Sequence, residues 1–275
     1  MIGKAFAPAH ITGFFSIFDD EDPLKMGSCG CGLALEDGVT TSAQPAETTE
    51  VLLNGQPAEA PTTMSIIEML TEEPVRVDSK LAFPIGGGFG DSGAGAFSTA
   101  LALNEALHLN RTYNDLAFLA HVAEVNNKTG LGDVAGMYAG GIVMRLKPGT
   151  PFILDRIPVM TRDIYCVCFG PVSTKSVLSD PKEKAKINES GRKSLKALLK
   201  KPTFDQFMKL SREFSVETGL ISEKALAAVK SVEANGGLAS MAMLGDSVFA
   251  TTDKGLAEFG EVKKTRIGLV SAHPL

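Results

Sequence analysis

The sequence predicts an α+β fold, with an N-terminal domain over residues 1–150 and a C-terminal domain over 151–275, on three observations. Short apolar and β-branched runs punctuated by Gly, Asn and Pro fill the first third. A stretch with six glycines in ten positions, 86–95, then opens an alanine-rich helical pattern. The C-terminal half runs strands, helices and strands in that order. Composition bounds the rest. A chain of 275 residues with 44% hydrophobic and 21% charged side chains can build a real core. Its 27 basic and 32 acidic residues give a net charge of −5, which argues against a dominant nucleic-acid surface. No uncharged run reaches the ~18–20 apolar residues of a membrane span. Residues 1–8 lack the apolar block of a secretory leader, and four cysteines make no disulfide framework. A cytoplasmic protein without membrane or nucleic-acid partners is expected.

Taken in order, residues 4–6, 13–18, 39–41 and 51–53 read as strands, and Asn54-Gly55 as a hairpin turn. Residues 62–70 form a short helix ending before Pro74. Helical periodicity marks 96–107 and 116–125. Gly130-Leu131-Gly132-Asp133-Val134 leads through Gly140-Gly141 into a strand at 142–145, and the turn Pro148-Gly149 sets the domain boundary. Strands at 152–154 and 164–169 precede helices rich in Lys and Glu at 181–199, 203–216 and 222–233. A hairpin of 239–244 and 247–252 turns at Gly245-Asp246, and 265–271 closes the chain.

Glycines ahead of a helix let backbone N–H groups converge on a concavity to which the helix N-terminus adds partial positive charge, so the expected ligand is a phosphate. A Walker loop requires Lys after its last Gly, and none lies between Lys80 and Lys128. Gly88-x-Gly90-x-x-Gly93 has the form of a dinucleotide fingerprint, but a second helix follows where that fold demands a strand.

Three ordered blocks narrow the choice. The loop is Pro84-Ile85-Gly86-Gly87-Gly88-Phe89-Gly90-Asp91-Ser92-Gly93-Ala94; before it stands Ala7-Pro8-Ala9-His10-Ile11-Thr12-Gly13, and after it Gly236-Gly237-Leu238-Ala239-Ser240-Met241-Ala242-Met243-Leu244-Gly245. Together they resemble the GHMP kinase superfamily, whose loop reads Pro-x-x-x-Gly-Leu-Gly-Ser-Ser-Ala. The wording at 8–15, 88–95, 129–134 and 239–245 is most similar to the archaeal kinases that act on pantoate. The resemblance implies a two-lobed fold, with a ribosomal-protein-S5-domain-2-like N-terminal lobe, a ferredoxin-like C-terminal lobe and the site in the cleft between them. It also implies ATP and Mg²⁺ as cofactors, a small-molecule substrate and a homodimer. Phosphorylation of another small alcohol, homoserine or mevalonate, is the alternative. A non-catalytic protein that senses nucleotide or metabolite is a third reading, prompted by Asp91 and His10, which depart from the family's Ser and Lys.

Phosphoryl transfer needs a triphosphate cradle, a cation and a positioned acceptor hydroxyl. The cradle is Pro84 and Gly86 to Ala94, where Ser92 offers its hydroxyl to metal or phosphate. Asp91 either caps the helix or joins the metal shell. Glu124 is the expected Mg²⁺ ligand, or else a solvated helix-face residue. Asp133 takes or orients the acceptor proton, or caps a helix. His10 touches acceptor or phosphoryl oxygens, or is a structural histidine. Arg145 would grip the acceptor carboxylate, with a surface salt bridge as the other reading, and Ser28 would line the acceptor pocket. Cys29/Cys31 and Cys166/Cys168 would together make a four-thiolate zinc site only against the usual spacing, and the lysines from Lys182 to Lys201 read as a solvated helix face.

Overall fold

The computed structural model describes residues 1–171 and 181–275. Two long antiparallel strands, β1 (Gly3–Phe18) and β2 (Gly27–Pro45), form its spine. Each is far longer than the short runs the sequence suggests. Pro8 and Gly13 do not end β1; the register shifts between Pro8 and His10 and again between Thr12 and Phe14, so the breakers sit in bulges. The first bulge changes which side chains face which way. Ala5 and Ala7 pack with the helices on one side, whereas Ala9 and Ile11 belong to the apolar cluster on the other. The even-numbered His10 and Thr12 thereby turn toward the helical side.

The first sheet has the order β12-β1-β2-β5-β3-β4, where β3 is Glu50–Leu53, β4 Gln56–Pro57, β5 Val75–Leu81 and β12 His273–Pro274. Asn54 and Gly55 take φ of 52° and 76° between β3 and β4, the two left-handed residues that a tight hairpin turn demands. The early half of β2 pairs instead with β6 (Ile142–Arg145), which pairs with β7 (Leu154–Ile157). The sequence puts the domain boundary after Gly149, yet this sheet takes in 154–157 and 273–274 as well, because the Pro148-Gly149 turn returns the chain to β6 and the C-terminus returns to β1. Helices α1 (Pro61–Leu70), α2 (Asp91–Ala106), α3 (Tyr113–Asn127) and α4 (Asp133–Ala139) cover one face. Small side chains leave α2 buried almost all round, and a reciprocal Thr112/Asp115 capping box starts α3.

The second sheet has the order β11-β8-β10-β9, with β8 Asp163–Gly170, β9 Ala239–Ala242, β10 Asp246–Ala250 and β11 Lys263–Arg266. Residues 265–271 therefore do not close the chain as one strand; β11 ends at Arg266 and β12 begins at His273. Helices α5 (Pro181–Lys200), α6 (Phe204–Thr218) and α7 (Glu223–Ala234) accompany it. One apolar cluster joins the lobes: Phe14 and Phe15 of β1 meet Phe207 and Phe214 of α6, and Phe207 meets Phe249 of β10. Among the described residues no helix is long and apolar enough to cross a membrane.

Candidate active site

A cleft of about 410 Å³ opens between the lobes. Its first wall is the glycine-rich loop. Phe89 is buried, stacks on Phe83 at 4.4 Å, and accepts at its carbonyl a 2.9 Å hydrogen bond from the His10 N–H, which ties the loop to β1. Gly88 has φ of 87°, and Gly245, in the turn after β9, presses so closely on the loop that an added Cβ would land on the Gly87 carbonyl. Gly86, Gly88, Gly90, Asp91 and Ser92 line the cleft. Pro84, Gly87, Phe89, Gly93 and Ala94 do not: they shape the loop from behind, with Phe89 and Ala94 in the core. The first turn of α2 thus presents its unpaired N–H groups to the cleft, a ready anion site.

Asp91 is not the helix cap. Gly90, with φ of 69°, holds the cap position, and Asp91 is the first helical residue. Burial, reinforced by the negative charge of Asp133, pushes its carboxyl up to about 7.

Glu124 lies on α3 fully buried, not on a solvated face. Ser92 Oγ donates to its Oε1 at 3.0 Å, while its Oε2 has no partner. Two glycines leave room for this carboxylate: a Cβ on Gly93 would lie 2.8 Å from Oε2, and one on Gly130 would collide with the same group. Burial, then the charge of Asp133, pushes Glu124 up to about 8. An unsatisfied buried carboxylate oxygen beside a serine at the mouth of a phosphate-binding helix fits Mg²⁺, which binds through one or two carboxylates and keeps phosphate oxygens and water as its other ligands. A protein-only cage is a different matter. Among the described residues no group of three or more His, Cys, Asp or Glu is placed to hold a metal, and burial pushes the Cys31 and Cys166 thiols up, away from the zinc-binding thiolate.

Asp133, the first residue of α4, reaches the cleft beside Asp91. His10 Nδ1–H donates to its Oδ1 at 2.7 Å and Thr12 Oγ1 donates to the same oxygen at 3.2 Å. Burial alone would raise the Asp133 carboxyl; the His10 hydrogen bond, the Arg145 charge and the Thr12 bond outweigh it and hold it below the usual carboxylate value. Contact of His10 with acceptor or phosphate is corrected by its position. Its side chain is fully buried in a slot between Gly32 and Gly136, where any Cβ would strike the ring, and it does not line the cleft. Burial depresses the imidazole pKa, against the pull of Asp133, so a neutral ring donates from Nδ1 and orients the aspartate from behind.

Arg145, on β6, is only 2% exposed, lines the cleft, and has no ion pair among the described residues; its Nε and one terminal nitrogen lack any partner. A surface salt bridge is excluded by that burial. Ser28 lines the same floor and donates to the Leu131 carbonyl at 3.2 Å. Sequence reasoning missed Thr12, Phe15, Met243 and Leu244 as cleft residues, although all four stand inside the motif blocks. Neighbouring letters in a motif carry no sign of which side chain faces the cavity.

A glycine cradle at a helix N-terminus, facing a carboxylate and a buried cation across an interlobe cleft, is the arrangement of a small-molecule kinase of the GHMP class, and residues 62–141 match the GHMP kinases N terminal domain family. A pantoate kinase of Methanocaldococcus jannaschii is 38% identical over 255 residues, covering 90% of this chain and 92% of its own length. A pantoate kinase of Thermococcus kodakarensis is 41% identical over 268 residues, covering 91% and 87%. A solved structure described as a phosphotransferase related to the CoA biosynthesis pathway superposes over 100% of this chain and 99% of its own, with a TM-score of 0.89 at 33% identity. The chain belongs to the pantoate kinase family of the GHMP kinases.

Proposed function

We propose that this chain transfers the γ-phosphoryl group of ATP to the primary hydroxyl of pantoate, releasing ADP and 4-phosphopantoate for archaeal coenzyme A biosynthesis. One observation carries the reading. A buried guanidinium without a carboxylate partner, Arg145, shares a cleft with a phosphate cradle, and Asp133 neighbours both. Binding a substrate carboxylate supplies the anion that Arg145 lacks and leaves the far end of a short hydroxy acid directed at Asp133.

Both hydrogen bonds on Asp133 fall on Oδ1 and orient the carboxylate, so Oδ2 is the oxygen that meets the acceptor hydroxyl. A carboxylate held below its usual pKa is a weak base. It suits a loose phosphoryl-transfer transition state, where aligning the hydroxyl matters more than early proton removal. The α2 N–H groups hold the triphosphate in the cleft between the lobes. Ser92 and Glu124 would hold Mg²⁺, which when bound neutralises charge on the β- and γ-phosphate oxygens. The same resemblance supports a homodimer working in the cytoplasm, with sedimentation velocity as the check on the dimer.

ATP turnover measured in parallel with pantoate, homoserine and mevalonate tests the reading. Turnover with pantoate is expected to exceed the others by at least tenfold, which is about 1.4 kcal/mol of transition-state preference. Faster turnover of another alcohol overturns the acceptor, and ATP binding without any turnover favours the sensing protein.

A further inference from the structure

We propose that the turn Met243-Leu244-Gly245, together with Phe15, is the specificity wall that reads the doubly methylated carbon of the acceptor; this rests on the pantoate reading above. Leu244 adopts φ of 63°, a left-handed conformation that bulky side chains rarely take and that Asn or Gly adopts at lower cost. The turn is pinned there from both sides. The Met243 N–H donates to the Thr12 carbonyl at 3.0 Å, and Gly245 leaves no room for a Cβ against Gly87 and Gly88 of the phosphate loop. A leucine held in this way spends backbone strain to keep its side chain where it is, and that side chain lines the cleft.

Its companions are apolar. Met243 and Phe15 are each 3% exposed, belong to the cluster that joins the lobes, and line the same cleft; Leu244 packs against that cluster. The polar floor of Ser28 and Arg145 and this apolar wall enclose one volume. Such a cavity takes an acid whose middle is a branched hydrocarbon, because methyl groups there displace water from apolar surface, whereas an unbranched acid leaves that surface wet. The second lobe contributes the Met243-Leu244-Gly245 turn and the first contributes Phe15 and the phosphate cradle, so acceptor shape is read at the point where the lobes meet.

The test compares kcat/KM for pantoate with kcat/KM for the same dihydroxy acid lacking both methyl groups, in the wild type and in Leu244→Gly and Leu244→Asn. Both variants suit a left-handed residue, and thermal melting with KM for ATP reports whether the loop contact is intact. The wild type is expected to prefer pantoate by at least about tenfold, the usual worth of methyl groups in an apolar pocket. Both variants are expected to shrink that ratio several-fold, chiefly through KM for pantoate. A wild type that phosphorylates pantoate but whose preference survives in both variants overturns the wall. A wild type inactive on pantoate overturns the functional reading and the wall with it.

Discussion

Glu124 is an electrostatically stressed carboxyl buried behind the wall of the cleft. Its carboxyl is fully buried, with Oε2 unpartnered, and its pKa is pushed from 4.5 up to about 8. In the unfolded chain the group ionises near 4.5, so the stability contributed by its neutral folded form is complete below that pH and is lost as pH rises through about 8. Asp91, raised from 3.8 to about 7, acts with the same sign over a lower window. The melting temperature of the protein without divalent cation is therefore expected to fall between about pH 5 and pH 8, and Glu124→Gln to flatten that slope, as followed by circular dichroism. A slope unchanged in Glu124→Gln would remove the assignment. Divalent cation competes with this proton, so Mg²⁺-dependent stabilisation is expected to grow with pH over the same window. At Asp133 the expected outcome concerns chemistry alone. Asp133→Asn keeps an oxygen for His10 and Thr12 but loses the charge, so kcat should drop by about 10²–10⁴ while calorimetric ATP binding persists. Unchanged turnover would strip Asp133 of its role.

The turn between β9 and β10 meets the phosphate loop backbone to backbone, with Gly245 against Gly87 and Gly88. Gly245→Ala must displace one of the two segments, and such overpacking costs roughly 1–3 kcal/mol. Since the displaced atoms belong to the nucleotide cradle, KM for ATP is expected to rise about tenfold or more in steady-state assays, well ahead of any change in KM for pantoate. An equal rise in both would show that the lobes shifted as whole bodies. Helix starts and turns were the most readable local features: Asn54-Gly55 forms the expected hairpin, and α1, α3 and the three C-terminal helices begin within a few residues of their expected positions. Strand lengths were not readable. Pro8 and Gly13 look like terminators in a chain of letters, whereas β2 alongside absorbs them as bulges.

The lobes share one apolar cluster, from Phe14, Phe15 and Leu33 of the first sheet to Phe207, Phe214 and Phe249 of the second lobe. Burying those rings together couples the lobes energetically, so the full chain is expected to unfold in a single cooperative transition by calorimetry, with matching calorimetric and van't Hoff enthalpies. Fragments 1–150 and 151–275 expressed apart should fail to fold, since the first lacks β7 and β12 and exposes Phe14 and Phe15. Two separate transitions would mean that the lobes are independent domains. The amino-acid order by itself determined the α+β class, the phosphate-binding glycine loop and the candidates Ser92, Glu124, Asp133 and Arg145, because residue type and local spacing encode backbone freedom and charge. Only the tertiary structure decided their surroundings. It set Gly90 rather than Asp91 as the cap, buried His10 behind Asp133 in a glycine slot, left Arg145 without a partner, and turned Leu244 into the cleft. Those facts follow from register shifts between β1 and β2 and from contacts between residues more than a hundred positions apart, which no local pattern records.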